Sequence, residues 1–460
     1  MPLDPQHARQ QQNIPTVSAR LDGRLVELLV APNGETTFAV WSGSSYSRQS
    51  TVVAEDGRRL QPYSRDNSLI RNRIVLFPSE PTAYGSKADL VAAISAYVGR
   101  YVDLSPGFAR LVSHYVLLTW VYDCFNELPY LRLRGDFGSG KTRFLLVVGS
   151  ICYKPIFASG ASTVSPIFHM LDAFAGTLLI DEADFRFSDE KAQIVKILNN
   201  GNARGFPVLR TESKNGHEFS PRAFNVFGPK IVGMRGNFDD PALESRFVTE
   251  RSDRRRLRAD IPINLPSQQS AEALALRNQL LMFRFRNYAA SFDPVLATGS
   301  SLEPRLRQIF GPLAAVIDDA ETRSVLRRFA TASNTALLNE RGATLEADLL
   351  TVLRGLAPDA GERALPLRDI AQGFGRAFGA EYGHVISPRW IGELLRKRLS
   401  IATHKSHGVF AVPFEERRKL NELWTRYGVT EEDATLLRKR MTPPGGGDRG
   451  HGGAEAALRN

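Results

Sequence analysis

Eight consecutive residues have the types and spacing that hold a triphosphate. Gly135–Thr142 (GDFGSGKT) matches the pattern G-x-x-x-x-G-K-[S/T] at every fixed position. Glycines let backbone N–H groups turn towards phosphate oxygens, and the helix that follows adds the positive end of its dipole. We expect Lys141 to reach the β- and γ-phosphates and the Thr142 hydroxyl to coordinate Mg²⁺. The alternative is a chance glycine-rich turn, but a β-type run precedes the loop and a helical run follows it. The predicted nucleotide contacts are Gly135, Asp136, Phe137, Gly138, Ser139, Gly140, Lys141 and Thr142.

A second group of residues that could act in phosphate transfer follows downstream. Gly176–Glu182 (GTLLIDE) is an apolar run that ends in two carboxylates. In a phosphate-transferring site, Asp181 at the strand end would hold Mg²⁺, and Glu182 would act as general base for the attacking water. A buried strand that ends in an acidic turn is the alternative. The glycine loop upstream favours the catalytic interpretation.

Composition limits the class of protein around these motifs. The 460 residues are 43% hydrophobic, which suits two or more packed cores, and the net charge of +10 suits a polyanionic partner, either nucleic acid or an anionic membrane surface. Two cysteines cannot form a disulfide framework or a zinc cluster. The first residues lack the apolar run of a signal peptide, and Leu111–Phe125 is too short to span a bilayer. We therefore expect a cytoplasmic protein without a membrane partner.

The pattern of apolar residues predicts the elements that position the motifs. Short alternating runs broken by turns, up to about Phe77, predict a small antiparallel β domain. Two helices and then alternating strands and helices predict a parallel sheet flanked by helices around both motifs. After Pro266 the chain is predicted to be helical, with breaks near Gly299 and Gly311.

Five further segments carry a resemblance to a known family. From about residue 105 to 310 the chain resembles the AAA+ helicase-type ATPases of mobile elements and phages, which are distant relatives of the MCM (mini-chromosome maintenance) helicases. The resemblance implies ATP and Mg²⁺ as cofactors, a homo-oligomeric ring that is a hexamer, and DNA, as a single strand or a fork, as partner. The segments are DEADF (181–185), KILNNG (196–201), FNVFGPKIVGMR (224–235), ALESRF (242–247) and DIPINLP (260–266).

The predicted fold class is α/β: a P-loop AAA+ core with a parallel sheet flanked by helices, a helical lid, an N-terminal small β domain and a C-terminal winged helix. The predicted domains are the β domain (1–82), the helical lead-in and ATPase core (83–266), the lid (267–358), the winged helix (359–428) and a flexible tail (429–460).

The resemblance also assigns polar residues around the phosphates. In such motors the strand after the second motif ends in a polar sensor for the γ-phosphate. Here that strand is Lys230–Met234, so either Arg235 or Asn237 would fill the role. The usual family residue is a single Asn, and the sequence does not choose between the two.

Two arginines are assigned to the neighbouring subunit's nucleotide or to the lid. Arg246 would be the arginine finger that neutralises transition-state charge across a subunit interface. Its alternative role is an ion pair with a nearby acid such as Glu244. Arg305 would be the ATP-contacting arginine of the lid helix, with Arg307 as the second choice and an ordinary basic helix face as the alternative.

Two regions are predicted to contact DNA. Phe206–Phe224 should form a hairpin around Asn215-Gly216, which in MCM-like rings would project into the channel, although it could be an ordinary solvated hairpin. The C-terminal unit has the pattern of a winged helix, whose basic helix and wing could lie against DNA or serve as a protein-interaction module. The predicted DNA contacts are Arg210, Lys214, Arg222, Arg389, Arg396, Lys397 and Lys405.

These expectations combine into one leading function, an ATP-dependent ring-forming DNA helicase or translocase that acts in replication of a mobile element or phage. Two alternatives stay open. One is a nucleic-acid-associated AAA+ ATPase without unwinding activity, such as a loader or a transposition switch. The other is a protein-remodelling AAA+ ATPase.

Overall fold

The structure is a computed structural model, and it divides into two compact units, one up to Ser333 and one from Asn334 onwards. The residues that it describes are 13–159, 163–181, 188–214, 218–252, 258–293, 302–342, 344–361, 363–379, 386–406 and 408–441. Within those ranges, no helix combines the length and the apolar character needed to cross a membrane.

The described residues of the first unit form three sheets and a hairpin, with helices on both sides of the central sheet. Its strands are β1 (Asn13–Thr16), β2 (Ser18–Leu21), β3 (Arg24–Val30), β4 (Thr36–Trp41), β5 (Tyr46–Gln49), β6 (Val52–Val53), β7 (Arg59–Pro62), β8 (Tyr130–Arg134), β9 (Ile156–Ser159), β10 (Leu178–Asp181), β11 (Val208–Lys214), β12 (Glu218–Phe224), β13 (Lys230–Met234) and β14 (Phe247–Arg251). Its helices are α1 (Ser68–Arg71), α2 (Lys87–Tyr101), α3 (Pro106–Trp120), α4 (Lys141–Gly149), α5 (Val164–Phe174), α6 (Ser188–Asn200), α7 (Pro241–Glu244), α8 (Gln268–Asn287), α9 (Pro304–Ala315) and α10 (Ala320–Gly342), which continues across the division between the units.

The N-terminal strands form two small sheets. Strands β2, β3, β4 and β5 make the antiparallel sheet that the alternating pattern predicts. Strand β1, however, pairs parallel with β7. An alternation of period two is the same in parallel and antiparallel strands, so the sequence pattern could not indicate this direction. Val26 and Phe38 of these strands pack in the same apolar cluster as Ile156 and Phe174.

The central sheet has five parallel strands in the order β14-β8-β13-β10-β9, which confirms the predicted parallel sheet flanked by helices. Its strands are buried on both faces, as parallel strands usually are. Helix α4 follows β8 directly and packs against β13 and β10. The carboxyl ends of β8, β13 and β10 therefore meet at one edge of the sheet, beside the start of α4.

Two helices precede the sheet, and local capping explains where they begin. Ser86 and Asp89 form a reciprocal capping box at the start of α2, and Ser105 caps α3 with Pro106 in the first position. The predicted break near Gly311 is wrong, because α9 continues through Gly311 and Pro312, both of which are buried. Packing against neighbouring elements overrides the weak helix propensity of these residues.

The second unit is a small sheet with helices around one core. It contains β15 (Leu365–Pro366), β16 (His404–Ser406), β17 (Val409–Val412), α11 (Leu345–Ala360), α12 (Leu367–Phe378), α13 (Pro388–Lys397), α14 (Arg417–Tyr427) and α15 (Glu431–Met441). The sheet order is β15-β17-β16, and both pairings are antiparallel. Ser387 caps α13 as predicted.

Helix α15 lies inside the segment predicted to be a flexible tail. Thr430 and Asp433 cap its start reciprocally, with Asp433 accepting from the Thr430 backbone at 2.8 Å and the Thr430 hydroxyl accepting from the Asp433 N–H at 3.1 Å. Ala434 and Leu437 are buried, and α15 packs against α11. The caps and these buried side chains accompany a short helix at Glu431–Met441, within the segment predicted to be a flexible tail.

Candidate functional site

The glycine loop connects the end of β8 to the start of α4. Gly138 has φ +71° and Gly140 has φ +85°, a left-handed backbone that favours glycine over any residue with a Cβ. Gly140 is also the N-cap of α4, and no side chain caps this helix start. The first N–H groups of α4 are therefore available to an anion, as the sequence predicts for a phosphate-binding loop.

Gly135 is required for a different reason, which is close packing. A Cβ at this position would lie 2.6 Å from the Ser252 carbonyl oxygen and 2.7 Å from Ser139 Oγ. Ser252 supports the loop directly: its N–H donates to the Arg134 carbonyl at 2.7 Å, and its hydroxyl donates to the Ser139 carbonyl at 3.0 Å. Ser252 could not be identified from the sequence, since a single serine after a strand carries no distinctive pattern.

Lys141 is held over the loop that it belongs to. Its side chain is buried, with 9% of the residue exposed. Nζ donates to the carbonyl oxygens of Gly135 at 2.7 Å and Asp136 at 2.8 Å, and to Ser139 Oγ at 3.3 Å. The cation is therefore fixed where the loop curves around, which is where phosphate charge would lie.

The two predicted motifs meet at the carboxyl edge of the sheet. Thr142 Oγ1 donates to Asp181 Oδ2 at 2.6 Å. A hydroxyl and a carboxylate are hard oxygen ligands of the kind that Mg²⁺ takes, and a phosphate and waters usually complete its shell, so the donor set fits this ion. Glu182, the predicted general base, lies outside the described residues.

Gly233 of β13 lets these groups come together. A Cβ on Gly233 would lie 3.1 Å from Leu145 Cδ1, 3.2 Å from Asp181 Oδ1 and 3.3 Å from Lys141 Cβ. This glycine was not among the residues predicted for the site. The available signal was a glycine inside a strand pattern, which often marks close backbone approach.

A cleft of about 310 Å³ opens between the motifs, lined by Phe137–Arg143, Asp181 and Arg235. The guanidinium carbon of Arg235 lies 3.4 Å from the centre of the Phe137 ring, whose residue is 76% exposed. Asn237 is not among the lining residues in the described part of the chain, and it accepts a hydrogen bond from Arg134. The structure thus brings Arg235 to the predicted phosphate site and leaves Asn237 beside it.

Arg246 lies at the amino ends of the sheet strands, whereas the glycine loop lies at their carboxyl ends. Phe247, the next residue, is level with Tyr130 at the start of β8, whereas the loop follows the end of β8, about 13 Å further along the strand. Arg246 Nη1 donates to Asn199 Oδ1 at 2.5 Å and to the Ala242 carbonyl at 3.2 Å. The alternative ion pair with Glu244 is not formed.

Glu244 pairs instead with Arg132, whose two terminal nitrogens each lie 2.6 Å from a carboxylate oxygen. Arg305, the predicted lid arginine, donates to the Ala242 carbonyl at 3.0 Å, so it shares an acceptor with Arg246. Burial, together with the charge of Arg305, lowers the pKa of Arg246. Arg307 is exposed. The two predicted arginines therefore form one cationic cluster at this edge.

The predicted hairpin is formed by β11 and β12, in which Arg210 lies opposite Arg222. The Arg210 guanidinium lies 4.6 Å from the centre of the Phe168 ring, and Arg222 pairs with Asp172 at 3.1 Å, so both side chains contact α5. The tip at Asn215-Gly216 lies outside the described residues, and for Lys214 only the strand position is described.

The basic residues predicted on the second unit are exposed: Arg389, Arg396, Lys397 and Lys405. Arg396 donates to Thr403 Oγ1 at 2.8 Å, and Lys397 pairs with Glu393 one turn earlier on α13. These positions agree with an outward-facing basic surface on α13 and the β16–β17 hairpin.

No protein-family model matches the chain, and no curated protein matches it. Solved structures are similar to the chain at low identity, among them the following three. An apo structure of the NrS-1 C-terminal region is 9% identical, with a TM-score of 0.35, and the match covers 84% of this chain and 96% of that one. A full-length MCM homolog from Methanopyrus kandleri is 12% identical, with a TM-score of 0.31 and coverage of 68% and 77%. JCV Helicase with a bound small molecule is 13% identical, with a TM-score of 0.24 and coverage of 54% and 67%. The function therefore has to be inferred from the site.

Proposed function

We propose that this protein is an ATP-dependent, ring-forming DNA helicase or translocase of the AAA+ type, acting in replication of a mobile element or phage. The observation that carries the ATPase part is the 2.6 Å hydrogen bond between Thr142 Oγ1 and Asp181 Oδ2. It brings two motifs from distant parts of the sequence to one cleft, at the edge of a parallel sheet where ligands usually bind.

The cleft's own residues account for the binding step. Uncapped N–H groups at the start of α4 and the buried Lys141 would bind the phosphates, and Thr142 and Asp181 would hold Mg²⁺. The ion, when bound, would neutralise charge on the β- and γ-phosphates. Arg235 at the cleft is the better-placed sensor, and Glu182 is proposed to orient and deprotonate the attacking water.

The position of Arg246 supports a ring. An arginine about 13 Å along the strand from the loop, on the other edge of the sheet, cannot contact the phosphates of its own subunit. With Arg305 it forms a cluster that could serve a nucleotide bound by a neighbour. Such an arginine typically contributes about 10³-fold or more to the rate. We therefore propose that hydrolysis takes place at subunit interfaces of a homo-oligomer, most simply a hexamer.

The proposal of DNA as substrate is supported by charge. The chain carries a net charge of +10, and the four basic side chains predicted to contact DNA on the second unit are all exposed. The helices and the β16–β17 hairpin of that unit fit a winged helix. The β11–β12 hairpin is the proposed pore element, with Lys214 near its tip. Phosphate contacts of this kind carry no sequence information, as a translocating motor needs.

The decisive experiment combines turnover, unwinding and assembly. We expect ATP hydrolysis that single-stranded DNA stimulates, unwinding of a forked duplex, and a ring in the presence of an ATP analogue and forked DNA. Lys141→Ala should abolish turnover and unwinding. The control for general disturbance of α4 is Leu146→Ala, at an exposed position of the same helix outside the cleft lining. A protein that stays monomeric with nucleotide and DNA present would refute the ring.

The same assays separate the alternatives. DNA-stimulated hydrolysis without fork unwinding would indicate a loader or a transposition switch. Hydrolysis that DNA does not stimulate would indicate a protein-remodelling ATPase.

A further inference from the structure

A second, larger cavity lies away from the nucleotide cleft. It has a volume of about 790 Å³ and is formed by the loop after β3, the segment 65–77 around α1, the end of α4 and the start of α8. This size is in the range of sites that bind a small ligand. The end of α4 is about 13 Å from Lys141 along the helix, so the cavity is separate from the glycine loop.

The charged groups that line this cavity are predominantly cationic. Its described lining contains four arginines and a single carboxylate, Asp66. Asp66 accepts from the hydroxyl of Ser64 at 3.4 Å and forms no ion pair with the arginines. The four arginines are Arg65, Arg71, Arg73 and Arg277.

The three arginines at the rim differ from other arginines of the same region. Arg20, Arg24 and Arg58 each pair with an aspartate, at 3.2, 3.0 and 2.6 Å. Arg65, Arg71 and Arg73 are exposed, and within the described ranges no acidic side chain pairs with them. Three unpaired cations around one cavity repel each other, and a bound anion would relieve that repulsion.

The fourth arginine lies deeper in the cavity wall. Arg277 is buried, and it donates to the Phe77 carbonyl at 3.2 Å and to the Ser150 carbonyl at 2.5 Å. Ser150 is the C-cap of α4, so Arg277 also contacts the negative end of that helix. Burial, partly opposed by Tyr97 and reinforced by the charge of Arg73, lowers the pKa of Arg277 to about 10.

The start of α8 adds the positive end of a helix dipole. Ser267 lines the cavity, its side chain does not cap α8, and the first turn of the helix has no acidic residue. The N–H groups of Gln269 and Ser270 already donate to the Pro266 and Ser267 carbonyls, so this 20-residue helix contributes positive potential rather than direct donors. The helix start and the four arginines contribute positive potential to the same space.

We propose that this cavity binds a phosphate-bearing ligand, with Arg65, Arg71, Arg73 and Arg277 as its cationic contacts. Planar guanidinium groups suit phosphate oxygens because each can donate two parallel hydrogen bonds. The phosphate can come from a nucleotide that enters the cavity or from the backbone of a polynucleotide strand that lies along the rim. Both sources present the same chemistry, and the experiment below distinguishes them.

The test uses full-length protein carrying Lys141→Ala, so that the glycine loop contributes little to binding. Tripolyphosphate is titrated calorimetrically in the absence of metal. The rim variant is Arg65→Gln, Arg71→Gln and Arg73→Gln together. The matched control is Arg48→Gln, Arg58→Gln and Arg59→Gln, which removes the same charge from the same part of the chain but outside the cavity lining.

We expect tripolyphosphate to bind, with an affinity that falls at least about tenfold in the rim variant and little in the control. Equal binding by the two variants would overturn the proposal, as would the absence of binding. Displacement by ATP identifies a nucleotide ligand, and displacement by an oligothymidylate of roughly 12 nucleotides identifies a strand backbone. If neither competitor displaces tripolyphosphate, a phosphate-ester ligand is excluded. Because every measurement is made without a working glycine loop, failure here leaves the proposed ATPase function untouched.

Discussion

Gly233→Ala tests whether the two phosphate motifs depend on a glycine that neither motif contains. The new Cβ would lie 3.1–3.3 Å from Leu145, Asp181 and Lys141, which is closer than ordinary van der Waals contact by a few tenths of an ångström. Overpacking of this kind costs about 1–3 kcal/mol, and the lower entropy of the unfolded chain returns about 0.4–1 kcal/mol. We therefore expect a net loss of about 1 kcal/mol in the free energy of unfolding.

The expected effect on catalysis is larger than the effect on folding. Misplacement of a reacting group by 1 Å can reduce a rate about 100-fold. Displacement of Asp181 or Lys141 by a few tenths of an ångström should therefore lower kcat for ATP hydrolysis about 3- to 10-fold. Steady-state ATPase assays and urea unfolding of the same preparations measure the two quantities separately.

Gly99→Ala is the matched control for this substitution. Gly99 lies within α2, and a Cβ there meets no atom within 4 Å. An alanine in a helix should raise the free energy of unfolding by about 0.5–1 kcal/mol and leave kcat unchanged. The reasoning is refuted if Gly233→Ala has wild-type kcat, or if both alanines change stability in the same direction.

Four further substitutions follow from the described contacts and the motifs. Glu182→Gln should retain ATP binding, measured by nucleotide titration, and should stall hydrolysis, measured by an ATPase assay. A variant that hydrolyses ATP at the full rate would exclude Glu182 as the general base. Arg246→Ala should abolish turnover with ATP binding intact, and wild-type subunits mixed into the mutant should restore part of it; normal hydrolysis in the mutant would exclude the finger role. Ser252→Ala removes the hydrogen bond to the Ser139 carbonyl and should cost about 0.5–1.5 kcal/mol, seen as weaker ATP binding by up to about tenfold; unchanged affinity would contradict the support role. Leu437→Ala should lower the free energy of unfolding of the second unit by about 2–5 kcal/mol in thermal or urea unfolding, because Leu437 is buried in that core; no change would mean that α15 does not pack there.

Much of the core of the first unit could be predicted from local patterns. Lys230–Met234 was predicted as a strand with the bounds that the structure gives, and the β-type run expected before the glycine loop is the strand Tyr130–Arg134. Both are buried runs next to residues that interrupt regular secondary structure, the glycine loop in one case and Gly228-Pro229 in the other. Such runs have few alternative conformations, so the sequence alone indicates them.

Long-range features could not be predicted in this way. The parallel pairing of β1 with β7, the role of Ser252 and the position of Gly233 all depend on segments that are distant in sequence and meet only after folding. The choice between Arg235 and Asn237 was also out of reach, because both follow the same strand. Their different surroundings come from Phe137 and Arg134, which belong to another part of the chain.

Strand β14 has a consequence for timing in any closed assembly of this protein. Arg246 precedes the strand and Ser252 follows it, so one extended segment of about 20 Å joins the cationic cluster to the support of the glycine loop. Among the described strands it pairs with β8 alone, so it forms one outer edge of the central sheet. In the proposed ring, a movement of the loop after phosphate release would be transmitted along this segment to Arg246, the proposed finger. The two ends of one strand would then respond to two different nucleotides. This coupling would favour sequential ATP hydrolysis by neighbouring subunits.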